Sequence, residues 1–296
     1  MPNETAPGPL VFGEVLFDCF PDGGRVLGGA PFNVAWHLQA FGEVPLLISC
    51  VGNDPPGDEI RGRMREWGMR ADGLQQDREH STGTVAVTYR EGEPSFEILP
   101  DQAYDFIQEQ ALPETSTAPL LYHGSLAVRS ETSGAALRRL KREPRPVFVD
   151  VNLRDPWWDR KRVLTLLRGA RWAKLNEDEL QRLTDCGPDL SSCAEEFRAL
   201  LGLDLLVVTR GADGALALSA EERVEVRPDA DLQAVDPVGA GDAFSAALIL
   251  GLLQRWPLDQ TMQRAQTFAG AMVERQGATV DDHDFYRPFL EQWGIR

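Results

Sequence analysis

The sequence predicts a doubly wound α/β fold: a mostly parallel sheet flanked by helices, with a small β-sheet lid. Three observations carry this expectation. Short, almost continuously apolar runs alternate with stretches of helical spacing through most of the chain. Those runs end on small or polar residues, as strands covered on both faces do. Two regions break the rhythm with alternating patterns around turn residues, the mark of strands with one exposed face.

In chain order, "EVLFDCFPDGGRVL" at 14–27 reads as strand, turn and strand, and 31–42 carries helical spacing. "LLISCVG" at 46–52 reads as a buried strand. "TGTVAVTYREGEPSFEI" at 82–98 reads as a hairpin turning at "REGEP", so the lid is expected from about 14–27 and 82–104. "LLYHGS" (120–125), "VFVDVN" (147–152), "RWAKLN" (171–176) and "LLVVTRG" (205–211) read as further buried strands. Helical patterns at 131–142, 157–169, 177–184 and 192–202 lie between them. No internal repeat, low-complexity tract or linker divides the sequence, so residues 1–296 read as one domain with the lid inserted in it.

A formal charge of −16 argues against a nucleic-acid or anionic-membrane partner. No apolar run is long enough to cross a bilayer, and the N-terminus lacks the pattern of a signal peptide. Cys19, Cys50, Cys186 and Cys193 form no CxxC pair, which suggests reduced thiols and a cytoplasmic protein. Lys141, Lys161 and Lys174 are the only lysines, so an anionic ligand must rely on local dipoles, a metal ion or a placed arginine. No lysine follows a glycine, which excludes a Walker-type phosphate loop; HExxH and GxSxG are also missing.

"DPVGAGDAF" at 236–244 concentrates the chemistry. Gly239, Ala240 and Gly241 stand just before an apolar helix, where the first amides have no internal partner and the macrodipole is positive. Side chains reduced to hydrogen or methyl let those N–H groups reach an anion. Asp242 falls beside that anion, where a carboxylate hinders binding but can take a proton from an attacking hydroxyl. Read alone, Asp242 is better taken as a helix cap, and the glycines as a turn.

This stretch resembles the C-terminal signature of the ribokinase-like (PfkB) carbohydrate kinases. "GGAPFNVAWHLQAFG" at 28–42 resembles their N-terminal signature. The resemblance is nearest in pattern to bacterial fructokinases. It implies Asp242 as catalytic base, with the amides of Gly239, Ala240 and Gly241 as the anion hole. It further implies Asp18, Gly28, Gly29 and Asn33 as sugar contacts. "LNEDEL" supplies Asn176 and Glu179, associated with Mg²⁺ through water, and "VVTRGADGA" supplies Thr209, Gly211 and Gly214 for the nucleotide. ATP and Mg²⁺ are the implied cosubstrates. K⁺ is an implied monovalent cation near Asp236 and Val238. Adenine is expected near 224–235 and 268–273.

"DVNLRDPWW" at 150–158 resembles a segment of fructokinases and 2-keto-3-deoxygluconate kinases, with Arg154 as a substrate or phosphate contact. The alternative for Arg154 is a structural arginine packed on Trp157 or Trp158. The implied activity is transfer of the ATP γ-phosphate to a primary hydroxyl, with fructose the leading acceptor. Other polyols remain open (2-keto-3-deoxygluconate, ribose, a nucleoside), as does an inactive sugar-sensing member. An acidic substrate would need further arginines, with Arg90 and Arg129 the candidates. Exposed lid strands suggest a homodimer paired edge to edge.

Overall fold

In the computed structural model, residues 8–90, 93–187, 189–229 and 232–295 are described. The chain opens with β1 (Leu10–Phe12), then β2 (Leu16–Cys19), β3 (Arg25–Gly28) and α1 (Ala30–Ala40). β4 (Leu46–Gly52), α2 (Pro55–Glu66), β5 (Leu74–Asp77), β6 (Gly83–Arg90) and β7 (Glu93–Ile98) follow. The middle third holds β8 (Leu121–His123), α3 (Glu131–Leu140), β9 (Val147–Asp150), α4 (Arg160–Leu167), β10 (Trp172–Asn176) and α5 (Glu177–Leu183). The remainder is α6 (Leu190–Leu201), β11 (Leu205–Thr209), β12 (Ala215–Leu218), β13 (Arg223–Val226), α7 (Ala240–Gln254), α8 (Leu258–Val273) and α9 (His283–Trp293).

Among the described residues the main sheet runs β13-β12-β11-β10-β9-β8-β1-β4-β5. Its pairings are parallel from β5 to β11, and only β12 and β13 are antiparallel. The strand period of two sorts side chains to opposite faces. Leu46, Ile48 and Cys50 face one apolar cluster with α3, α4, α5 and α6, whereas Leu47 and Val51 face another with α1, α2, α7, α8 and α9. Each expected buried strand therefore has helices over both faces.

The lid is the second sheet, ordered β3-β2-β6-β7. Its hairpins are the two segments expected to form it, and the 91–92 turn lies outside the described residues. β2 pairs parallel with β6, which joins the hairpins into one layer. Asp54 ties the root of β6 to the body. It caps α2 by accepting from Gly57 N (2.9 Å) and also accepts from Thr82 N at 2.8 Å.

One expectation fails here. Cys186 and Cys193 form a disulfide with Cα atoms 5.6 Å apart, because the loop from α5 turns straight back into α6. Spacing along the chain gave no sign of that turn. Cys19 and Cys50 are free thiols, as expected.

Candidate active site

The turn at 236–242 is built on backbone that only glycine tolerates. Gly239 has φ 80°, and a Cβ there would lie 2.5 Å from Ala278 Cα. Asp236 fixes the entry by accepting from Val238 N (2.9 Å) and from Gly277 N (3.0 Å), which pins the turn to the segment after α8. Gly239 and Ala240 are half-buried and Gly241 is exposed, so the corner is open to a ligand. Ala240 N bonds weakly to the Pro237 carbonyl at 3.3 Å. The amides of Gly239, Gly241 and Asp242 have no hydrogen-bond partner among the described residues. Of the three expected anion donors, Ala240 is thus partly engaged, and Asp242's own amide joins Gly239 and Gly241.

Asp242 is half-buried in the first turn of α7. Asn33, from α1 and 209 positions earlier in the chain, donates its Nδ2 to Asp242 Oδ2 at 2.8 Å. The two terminal signatures therefore meet through one hydrogen bond. Burial raises the Asp242 carboxyl to about 6, against the lowering effect of Asn33. Asp242 is therefore not a satisfied helix cap: its side chain bonds no amide of its own turn.

The expected sugar contacts gather round Asn33. A Cβ on Gly28 would lie 3.5 Å from Asp18 Oδ2 and 3.9 Å from Asn33 Oδ1, so both polar groups face that glycine. Asn33 Oδ1 is buried without a partner, an acceptor suited to a hydroxyl. Gly29 has φ 107°, and a Cβ there would strike the Glu14 carbonyl at 2.7 Å. Asp18 is raised to about 6 by burial and opposed by Arg154. Arg154 is exposed and makes no ion pair among the described residues. It does not stack on the tryptophans: Arg129 covers Trp157 at 4.2 Å and Arg182 covers Trp158 at 4.6 Å.

Glu14 was not foreseen. It is 3% exposed with Oε2 unpartnered, and burial lifts it to about 7. The available signal was an acidic residue inside the apolar run "VFGEVLF". The expected sugar end thus gathers Glu14, Asp18 and Asp242 against Arg154. Arg129 is engaged with Asp105 at 2.6 Å, and the Arg90 side chain lies outside the described residues.

On the side expected to hold the nucleotide, Thr209 closes β11 in register with Asn176 on β10. Gly211 has φ 55° with open space at its Cβ position. Gly214 is set differently: a Cβ there would strike the Val226 carbonyl at 1.9 Å, so it serves the approach of β12 to β13. A cavity of about 380 Å³ lies by the lid, and another of about 370 Å³ is lined by Arg227, Asp229, Leu232, Gln266, Gly270 and Phe289. The second cavity draws on both segments expected to hold adenine.

Asn176 and Glu179 form a capping box. Asn176 Oδ1 accepts from Glu179 N, and Glu179 Oε2 accepts from Asn176 N, each at 2.8 Å. Glu179 Oε1 takes Leu153 N at 2.6 Å, and the residue is 6% exposed. Among the described residues no three His, Cys, Asp or Glu side chains assemble as metal ligands. The pair does not fit direct ligation; it orders the loops at the ends of β9 and β10.

These features agree with comparison to known proteins. A fructokinase of Salmonella typhimurium is 31% identical over 294 residues, covering 90% of this chain and 94% of its own length. One from Klebsiella pneumoniae is 33% identical, covering 82% and 83%. A double mutant of the Vibrio cholerae O395 fructokinase, solved in fructose, ADP and potassium ion bound form, superposes with TM-score 0.81. It is 27% identical, covering 96% of this chain and 98% of that one. The pfkB family carbohydrate kinase profile matches residues 20–284. With the glycine turn, its aspartate and the lid in place, this chain belongs to the pfkB family of carbohydrate kinases.

Proposed function

We propose that the protein is an ATP-dependent sugar kinase whose leading acceptor is fructose. The observation that carries this reading is the open turn at 239–242. It holds free amides and a raised carboxyl side by side, and Asn33 joins them to the sugar contacts. In the reaction Asp242 takes the proton of a primary hydroxyl as that oxygen bonds to the γ-phosphorus. The bond from phosphorus to the β,γ-bridging oxygen breaks, and ADP leaves. The amides of Gly239, Gly241 and Asp242 stabilise the charge on the transferring group. ATP enters as its Mg²⁺ complex, in which the ion neutralises phosphate charge.

The acceptor is a neutral polyol. Three carboxyls and a single unpaired arginine would repel a sugar acid, and Arg129 is already held by Asp105. The relatives' names supply the choice of fructose. Asp236 draws together the two loops beside the turn, which supports a monovalent-cation site there near Val238; K⁺ fits this role. An enzyme that draws on ATP in this way belongs in the cytoplasm, and no described helix is long and apolar enough to cross a membrane.

ADP release over fructose, mannose, ribose, 2-keto-3-deoxygluconate and adenosine tests the assignment. The reading expects fructose to give the highest kcat/KM. A preference for the sugar acid would overturn the neutral-acceptor argument, and silence on all five would overturn the kinase reading.

A further inference from the structure

Beneath the glycine turn lies a buried charged cluster with no part in the chemistry above. Lys174 Nζ on β10 donates to both oxygens of Asp150 on β9, at 2.9 and 2.8 Å. Their side chains are 7% and 4% exposed. Asp150 Oδ2 also accepts from Tyr122 Oη at 3.2 Å and from Ser245 Oγ at 2.6 Å. Ser245 sits one turn along α7, with its Oγ 3.0 Å from the Gly241 carbonyl oxygen. A Cβ on Gly241 would lie 3.8 Å from Lys174 Nζ.

A buried ion pair is a poor source of stability, since well-packed apolar residues often serve as well or better. Its placement explains it better. Asp150 gathers β8, β9, β10 and α7 at the point where α7 must begin. A lone carboxylate under the anion hole would oppose an incoming phosphate. The ammonium cancels that charge without removing the tether.

We propose that Lys174 is a positioning residue for phosphoryl transfer, acting with Asp150 and Ser245 to hold the first turn of α7 and to shield the anion hole from Asp150. The proposal rests on the kinase reading above. Lys174 acts on the reacting groups through the helix that carries them and through its charge on Asp242, without touching the sugar contacts, so its loss should alter kcat and leave sugar binding largely intact.

The test compares the native enzyme with Lys174→Met and with Lys174→Met/Asp150→Asn, which restores neutrality. Lys174→Met is expected to lower kcat about 100-fold with KM for the sugar within about threefold, the scale of a displaced catalytic turn. The double variant should recover about tenfold of that loss, since the bare buried carboxylate is gone. Hydrogen exchange at the amides of Ala243, Phe244 and Ser245 should quicken in both variants while α8 is unchanged.

A kcat within about threefold of native in either variant would overturn the proposal. So would a double variant no faster than the single one, or unchanged exchange. If Lys174→Met fails to fold, the neutral double variant decides by the same kcat and exchange criteria. A native protein inactive on every sugar would instead overturn the kinase reading, and exchange would still score the cluster.

Discussion

Asp242 sits at the edge of its ionisation range. Burial lifts it to about 6, and the groups facing it pull both ways. Asn33 from α1, Lys174 from β10 and Arg154 beyond β9 favour the anion, whereas Asp150 and Glu14 oppose it. A base must be unprotonated to accept the hydroxyl proton, so kcat/KM for the sugar should fall as pH drops through about 6. A steady-state profile from pH 5 to 8 checks this, and a flat profile would contradict it. At this scale the residues named from the two signatures, Asp242, Asn33, Gly28, Gly29 and Gly239, are ones the fold brings close together. The sequence could not disclose Glu14, Asp150 or Lys174, whose meaning comes from neighbours distant in the chain. Arg154 was left open between two roles, and only the arginines already covering both tryptophans removed the stacked one.

Elements with strong period and clear ends were legible. The apolar run at 46–52 is β4, residue for residue, and α1, α3, α5 and α6 lie where helical spacing placed them. The elements missed have weak local signals. α2 begins on two prolines after Asp54 and is mostly polar, and α9 carries Pro288 inside it. β12 is the short "ALAL", which composition alone could equally assign to a helix. The link between α7 and the turn before it gives the sharpest test here. Gly239→Ala forces a side chain onto φ 80° and against Ala278, so it should cost more than about 1 kcal/mol in urea unfolding and depress kcat. An alanine variant of native stability and rate would show that the turn is looser than its backbone implies.

For the whole molecule, the lid sheet is the part that leaves strand edges open. β3 and β7 are the outer strands of the lid sheet, and they expose Val26 (43%) and Phe96 (51%). Apolar side chains on open edges favour pairing of two copies through their lids, and lid closure would exclude water from the activated phosphate. Val26→Asp/Phe96→Asp should therefore shift sedimentation toward monomer; a monomeric native protein, or a variant that still pairs, would contradict this. The two-sheet architecture and the folding-in of both lid hairpins were readable from patterning. The Cys186–Cys193 bond and the meeting of the two signatures through Asn33 and Asp242 were not, because both depend on loop paths in three dimensions. Catalysis by Asp242 as base, beside an amide-lined anion site, is the proposal on which the others depend. Its most direct test is the Asp242→Asn variant, assayed for fructose-dependent ADP release, ADP binding and thermal unfolding. A raised carboxyl contributes stability only while protonated, below about 6, so at pH 8 its neutral amide replacement should unfold no earlier than native. Turnover should fall by about 1,000-fold or more while ADP still binds; a variant keeping near-native turnover would contradict the account.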